Sequence, residues 1–160
     1  MVVTLDYPTR AKPILHRIES STEERKVLVL DDSYMWNFYV NGLQDIVEKG
    51  NIALTQFLGE AQRVAQSKPF DAYVINLDRQ RGTEYGLQDG VDLAEKIEES
   101  RGSVRELMWL LSRHTMALET AETRGFHRLY EISGEPAKYP NLNKFIGDLR
   151  QDLTYGRRGI

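Results

Sequence analysis

Two aspartates, Asp31-Asp32, stand directly behind the apolar run Val27-Leu28-Val29-Leu30. Paired carboxylates at the mouth of a buried strand repel each other, and keeping both ionised takes a cation or a basic partner. A hard divalent ion such as Mg²⁺ suits oxygen ligands of this type. Asp32 and Ser33 also have the chemistry that caps a following helix, so the dipeptide alone reads equally well as a cap. A second polar group closes the apolar run at 72–77. Asn76 and Asp78 share one side of an extended chain there, because side chains alternate with period two. Asp31, Asp32 and Asp78 thus form a candidate metal-ligand set, and Ser112 ends a third apolar run, Leu110-Leu111-Ser112. Arg79 and Arg81 follow Asp78 at once; they either neutralise the acidic cluster in place of a metal or are solvated loop charges.

Other chemistries find less support. His16, His114 and His127 are scattered, without the spacing of a metal site or a nucleophile–base pair. The segment Gly82-Thr83-Glu84-Tyr85-Gly86 has turn composition, but no Gly-Lys-Ser/Thr follows it as a phosphate loop requires. The chain has no cysteine, which excludes disulfides and thiolate chemistry. A net charge of −3 leaves no basic footprint for nucleic acid. The longest apolar runs fall far short of the roughly 20 residues a membrane helix needs. Residues 1–10 carry Asp6 and lack the basic-then-apolar pattern of an export signal, so a cytoplasmic protein is expected. With no visible general base or leaving-group acid, the chain does not read as an enzyme. A small metal-dependent phosphatase or phosphodiesterase built on the acidic cluster is the remote enzymatic alternative.

The elements that must position these residues alternate. With 160 residues, 41% hydrophobic and 28% charged, the chain suits one packed domain. Residues 1–25, interrupted by Pro8 and Pro13, read as an N-terminal extension, residues 26–155 as the domain, and residues 156–160 as a flexible tail. Strands are expected at 27–30, 52–57, 72–77, 107–111 and 128–132. Helices are expected at 34–49, 59–66, 89–99, 116–123 and 142–153. This rhythm predicts an α/β fold, a doubly wound five-stranded parallel sheet with helices on both faces. Ligands of such sheets bind beyond the carboxyl ends of the strands, where Asp31, Asp32, Asn76, Asp78 and Ser112 fall.

The segment 26–32 resembles the opening strand and acidic pair of the receiver domain of response regulators. Gly59-Glu60-Ala61 resembles that family's second-helix start, Phe70-Asp71 the lead-in to its third strand, Asp89-Gly90-Val91 the start of its third helix, and Leu110-Leu111-Ser112 its fourth strand. The resemblance runs in order over residues 26–153 and implies a flavodoxin-like, CheY-like topology. In the family an aspartate ending the third strand takes a phosphoryl group from a histidine kinase, with Mg²⁺ on the acidic pair and a Ser/Thr and a Lys on the phosphoryl oxygens. By resemblance the phosphoacceptor is either Asp78 or absent, its position being filled by Asn76, where gap-free counting from Asp71 lands. Ser112 and Lys138 are the phosphate-contact candidates, and Tyr130 is the candidate switch aromatic, with core packing as its plainer role.

Departures from the pattern follow. The family's proline after the acceptor is replaced by Arg79-Gln80-Arg81-Gly82, and Glu135-Pro136 stands where its Lys-Pro is expected. These departures favour a pseudo-receiver: a stand-alone signalling module acting through protein–protein contacts without phosphorylation or Mg²⁺. The alternative is a phospho-accepting receiver using Asp78 with Mg²⁺. Either way the expected partner is a protein, a histidine kinase or a downstream signalling protein, met by the last helix and the fifth-strand face. A second copy of the chain is admitted as a partner too.

Overall fold

The computed structural model describes residues 24–78, 89–132 and 138–156. The expected tail beyond Gly156 and all but the last two residues of the expected extension lie outside them. So do Arg79, Arg81 and Glu135.

Five strands form one all-parallel sheet: β1 (Val27–Leu30), β2 (Ile52–Thr55), β3 (Ala72–Asn76), β4 (Met108–Ser112) and β5 (Leu129–Glu131). Their order, β2-β1-β3-β4-β5, is the flavodoxin-like one. The helices are α1 (Trp36–Gly42), α2 (Leu58–Ser67), α3 (Gly90–Arg101), α4 (Thr115–Thr123) and α5 (Leu142–Gln151). The expected α/β, doubly wound architecture is what the chain adopts.

Period-two alternation divides the core. Val27, Val29, Ala72, Val74, Trp109, Leu111 and Tyr130 face α1 and α5, where Tyr39, Leu43, Phe145 and Leu149 meet them. Leu28, Leu30, Tyr73, Ile75, Met108, Leu110 and Leu129 face α2, α3 and α4. With a helix layer on each side, β1, β3 and β4 are buried along their whole length, which is why they read as unbroken apolar runs. Phe145 packs edge-on against both Tyr130 and Trp109, with ring centroids 5.4 and 6.0 Å away.

Two motifs of the resemblance have local physical reasons. Asp71 starts β3 by holding β1: its Oδ2 accepts from the Lys26 amide at 2.8 Å, and the Arg25 guanidinium lies 3.6 Å from its Oδ1. Arg25 is thereby buried with the domain rather than set apart with the extension. Asp89 caps α3 by accepting from the Asp92 amide at 2.9 Å. Gly90 follows because a Cβ there would stand 2.8 Å from Leu77 Cδ2 and 2.9 Å from Ile75 Cγ2.

The first helix departs from expectation. Instead of running over 34–49, a 3-10 turn (Ser33–Met35) leads into α1, which ends at Gly42. Asp45 beyond it takes a positive φ of 76°, incompatible with helix. The apolar spacing continued past Gly42, but the Arg150 guanidinium from α5 takes the Gly42 carbonyl at 2.8 Å and that of Gln44 at 3.1 Å. A tertiary donor thus satisfies the carbonyls that another helical turn would have bonded.

Candidate functional site

The carboxyl ends of β1, β3 and β4 bring four of the singled-out residues into one hydrogen-bonded chain. Asp31, directly after β1, is 1% exposed. Its Oδ1 accepts from Asn76 Nδ2 at 2.9 Å and from the Asp32 amide at 2.7 Å, and its Oδ2 accepts from the Tyr39 hydroxyl at 2.6 Å. Asn76, the last residue of β3, uses its other end too: Oδ1 accepts from the Asp78 amide at 2.8 Å. That bond turns the chain out of the strand, so Asp78 continues toward β4 rather than along β3. Its carboxylate accepts from the Ser112 hydroxyl at 2.7 Å and from the Arg113 amide at 2.9 Å. Ser112 Oγ in turn accepts from the His114 amide at 2.9 Å.

The convergence of Asp31 and Ser112 on one edge agrees with the sequence expectation. The position beside Asp31 belongs to Asn76, where gap-free counting put it, and Asp78 lies on the Ser112 side. Asp32 stands at the N-cap of the 3-10 turn, but its carboxylate makes no capping bond; its carbonyl accepts from the Met35 amide instead. The reading of Asp32 as a side-chain cap is therefore corrected.

Burial pushes the Asp31 carboxyl above its ordinary value of 3.8, and the neighbouring Asp32 charge adds to the rise. The bonds from Tyr39, Asn76 and the Asp32 amide oppose it without cancelling it. Burial first, and then the Asp31 charge, drive the Tyr39 hydroxyl far above 10.0, so it stays a proton donor.

Other candidates lie elsewhere. Lys138 sits over the outer surface of α4, with its ammonium 3.7 Å from Glu119 and 3.7 Å from Glu122. Those residues are at least a helical turn from the α4 start that adjoins Ser112, so Lys138 is not at the carboxyl edge. Tyr130 is 6% exposed, stacked on Trp109 at 6.0 Å, and its hydroxyl donates to Asp148 of α5 at 2.7 Å. This arrangement is that of a core-packing residue, the plainer of the two roles expected for it.

Three site residues escaped the sequence reading. Tyr39 looked like one more apolar position on α1. Glu131, 7% exposed at the end of β5 opposite Ser112, is bonded by the Thr115 hydroxyl at 3.0–3.1 Å. Its signal was available: a glutamate closing a strand on the same edge. Arg113 reaches across the edge to the Tyr34 hydroxyl at 3.4 Å, a contact that no local pattern announces.

These residues do not fit a resident divalent cation. Asp31, Asp32 and Asp78 are the candidate ligand set, but both Asp31 oxygens accept from protein donors and Asp78 is turned to Ser112. Among the described residues no three carboxylate or histidine side chains gather as a metal-ligand group. Each N–H or O–H already on a carboxylate competes with the metal for the same lone pairs.

No protein-family model matches the chain, and no curated protein does. Among solved structures it is similar to a fusion that carries amino acids 181–211 of the trimeric coiled coil of yeast Spc42, at 19% identity over 82% of each chain, with a TM-score of 0.50. A likeness at that identity speaks for the fold alone. Among the described residues no helix is long and apolar enough to cross a membrane.

Proposed function

We propose that the chain is a receiver-like signalling module that works without phosphorylation, by contact with a protein partner. The observation that carries this reading is the Asn76 bridge, in which an amide beside Asp31 has both its ends hydrogen-bonded within the protein. An amide forms no acyl phosphate. Asp78 is spoken for as well: its carboxylate takes the Ser112 hydroxyl, the contact that a phosphoryl oxygen takes in the resembling family. The edge so held is a fixed surface rather than a switch, and Glu131 adds negative charge where a phosphoryl group would need a cation.

The partner side is the face of α4, β5 and α5, where a histidine kinase, a downstream signalling protein or a second copy of the chain would dock. Mg²⁺ has no part in this reading, and a cytoplasmic setting belongs to it. The second reading keeps Asp78 as acceptor with Mg²⁺, and it requires the Ser112 hydroxyl to leave the carboxylate for a phosphoryl oxygen.

Incubation with acetyl phosphate and Mg²⁺, followed by intact-mass measurement, separates the two. The expected result is an unchanged mass. A phosphoryl-sized gain that disappears in Asp78→Asn would establish the second reading instead.

A further inference from the structure

On the opposite flank of β4 and β5, away from the acidic edge, a cavity of about 380 Å³ opens beside the end of α5. It is lined by Trp109, Arg128, Tyr130, Asp148, Gln151, Asp152 and Tyr155. Two of these residues carry buried nitrogen donors without a hydrogen-bond partner: the Trp109 indole Nε1 and Arg128 Nη1. Trp109 is only 2% exposed, and the Arg128 guanidinium lies over its ring, 4.2 Å from the centroid. The two orphan donors therefore belong to one stacked unit at the cavity wall. A buried donor left unpaired costs about 1–3 kcal/mol, and no catalytic or packing role described above uses either one.

The lining also limits what can pair them. Arg128 Nη2 is already 3.3 Å from Asp152 Oδ1, which balances its charge. Asp148 lines the same wall; burial pushes its carboxyl up, but bonds from Lys144 and Tyr130 outweigh that and hold it below 3.8, ionised at neutral pH. With Asp148 paired to Lys144 at 2.8 Å and Asp152 to Arg128 at 3.3 Å, the wall has no net positive charge to hold an anion. A neutral oxygen acceptor needs no such charge, and Tyr155, 65% exposed at the rim, presents aromatic surface to the rest of the ligand.

We propose that this cavity binds an uncharged planar amide carried on an aromatic or apolar body, its carbonyl oxygen accepting from Trp109 Nε1 and Arg128 Nη1. Neither nitrogen is wetted, so the Arg128 side chain shifts to admit the carbonyl at the indole edge, and Asp152 keeps hold of its other arm. The volume suits a single small ring system or one side chain with its amide.

Benzamide and benzoate, alike in shape but differing in charge, make the test, read on the indole N–H signals of ¹⁵N-labelled protein. Trp36→Phe identifies which of the two indole signals is that of Trp109. Benzamide is expected to shift the Trp109 signal saturably, with benzoate binding about tenfold or more weakly, a difference of about 1.4 kcal/mol. Arg128→Met is expected to weaken benzamide about tenfold while leaving the backbone amide spectrum dispersed. If that variant does not fold, Tyr155→Ala, at an exposed position, takes its place with the same expected weakening. N-acetyl-phenylalaninamide carries the same chemistry in peptide form; if it binds more tightly than benzamide, the natural source is a peptide segment. No saturable shift with either amide overturns the proposal. Equal binding of benzoate, or benzamide binding unaltered in both variants, overturns it as well. None of these outcomes bears on phosphorylation at the acidic edge.

Discussion

Asp31 is held as a carboxylate in a place that disfavours charge, and this makes it a pH-sensitive residue. Its folded value is raised above 3.8, so the folded chain binds that proton more tightly than the unfolded chain. Stability therefore falls as pH rises from 3.8 through the raised value, and the full cost is present above it. Asp31→Asn removes this contribution. In urea unfolding between about pH 4 and pH 8, the stability of Asp31→Asn relative to wild type should climb with pH across that window and then level off. A difference independent of pH would contradict the assignment. Tyr39→Phe takes away the 2.6 Å bond from the hydroxyl to Asp31 and should cost about 1.5–3 kcal/mol at neutral pH, measured the same way. Loss of less than a few tenths would mean that the Asp31–Tyr39 bond contributes little. The acidic pair was legible from residue type alone. Tyr39 was not, because a tyrosine at an apolar helical position gives no sign of where its hydroxyl points.

At the scale of elements, the sheet was written plainly in the sequence and the first helix was not. Strands β1, β3 and β4 announce themselves because both faces are covered, which leaves no polar position to interrupt the run. The end of α1 depends instead on α5, more than a hundred residues away, through Arg150 and Ile146. A Cβ on Gly42 would lie 2.6 Å from Ile146 Cγ1 and 2.9 Å from its Cδ1. Gly42→Ala should therefore destabilise by about 1–3 kcal/mol despite alanine's better helix propensity. In an Ile146→Ala background the same change should become neutral or favourable, a coupling that a double-mutant cycle reads directly. Equal effects in both backgrounds would show that α1 and α5 do not touch through this pair. The register at the end of β3 was the finer question. Periodicity placed Asn76 and Asp78 on one side of an extended strand, but the strand stops at Asn76 because its own side chain captures the Asp78 amide. Side-chain bonds of this kind, from Asn to the amide two residues on, compete with strand continuation.

For the whole molecule, the two helix layers set which edge is open. Three of the four large apolar side chains most exposed among the described residues, Tyr34, Phe57 and Met116, follow the carboxyl ends of β1, β2 and β4. They stand at the carboxyl edge rather than scattering over the surface. The central claim is that this edge is closed by Asn76 and needs neither metal nor phosphate. Calorimetric titration with Mg²⁺ of the wild type, Asn76→Asp and Asp78→Asn tests it most directly. The account predicts no saturable binding in the wild type or in Asp78→Asn. It predicts that binding is gained in Asn76→Asp, which exchanges a donor to Asp31 for a third carboxylate at the position facing it. Saturable Mg²⁺ binding in the wild type that collapses in Asp78→Asn would contradict the account and assign the site to Asp78.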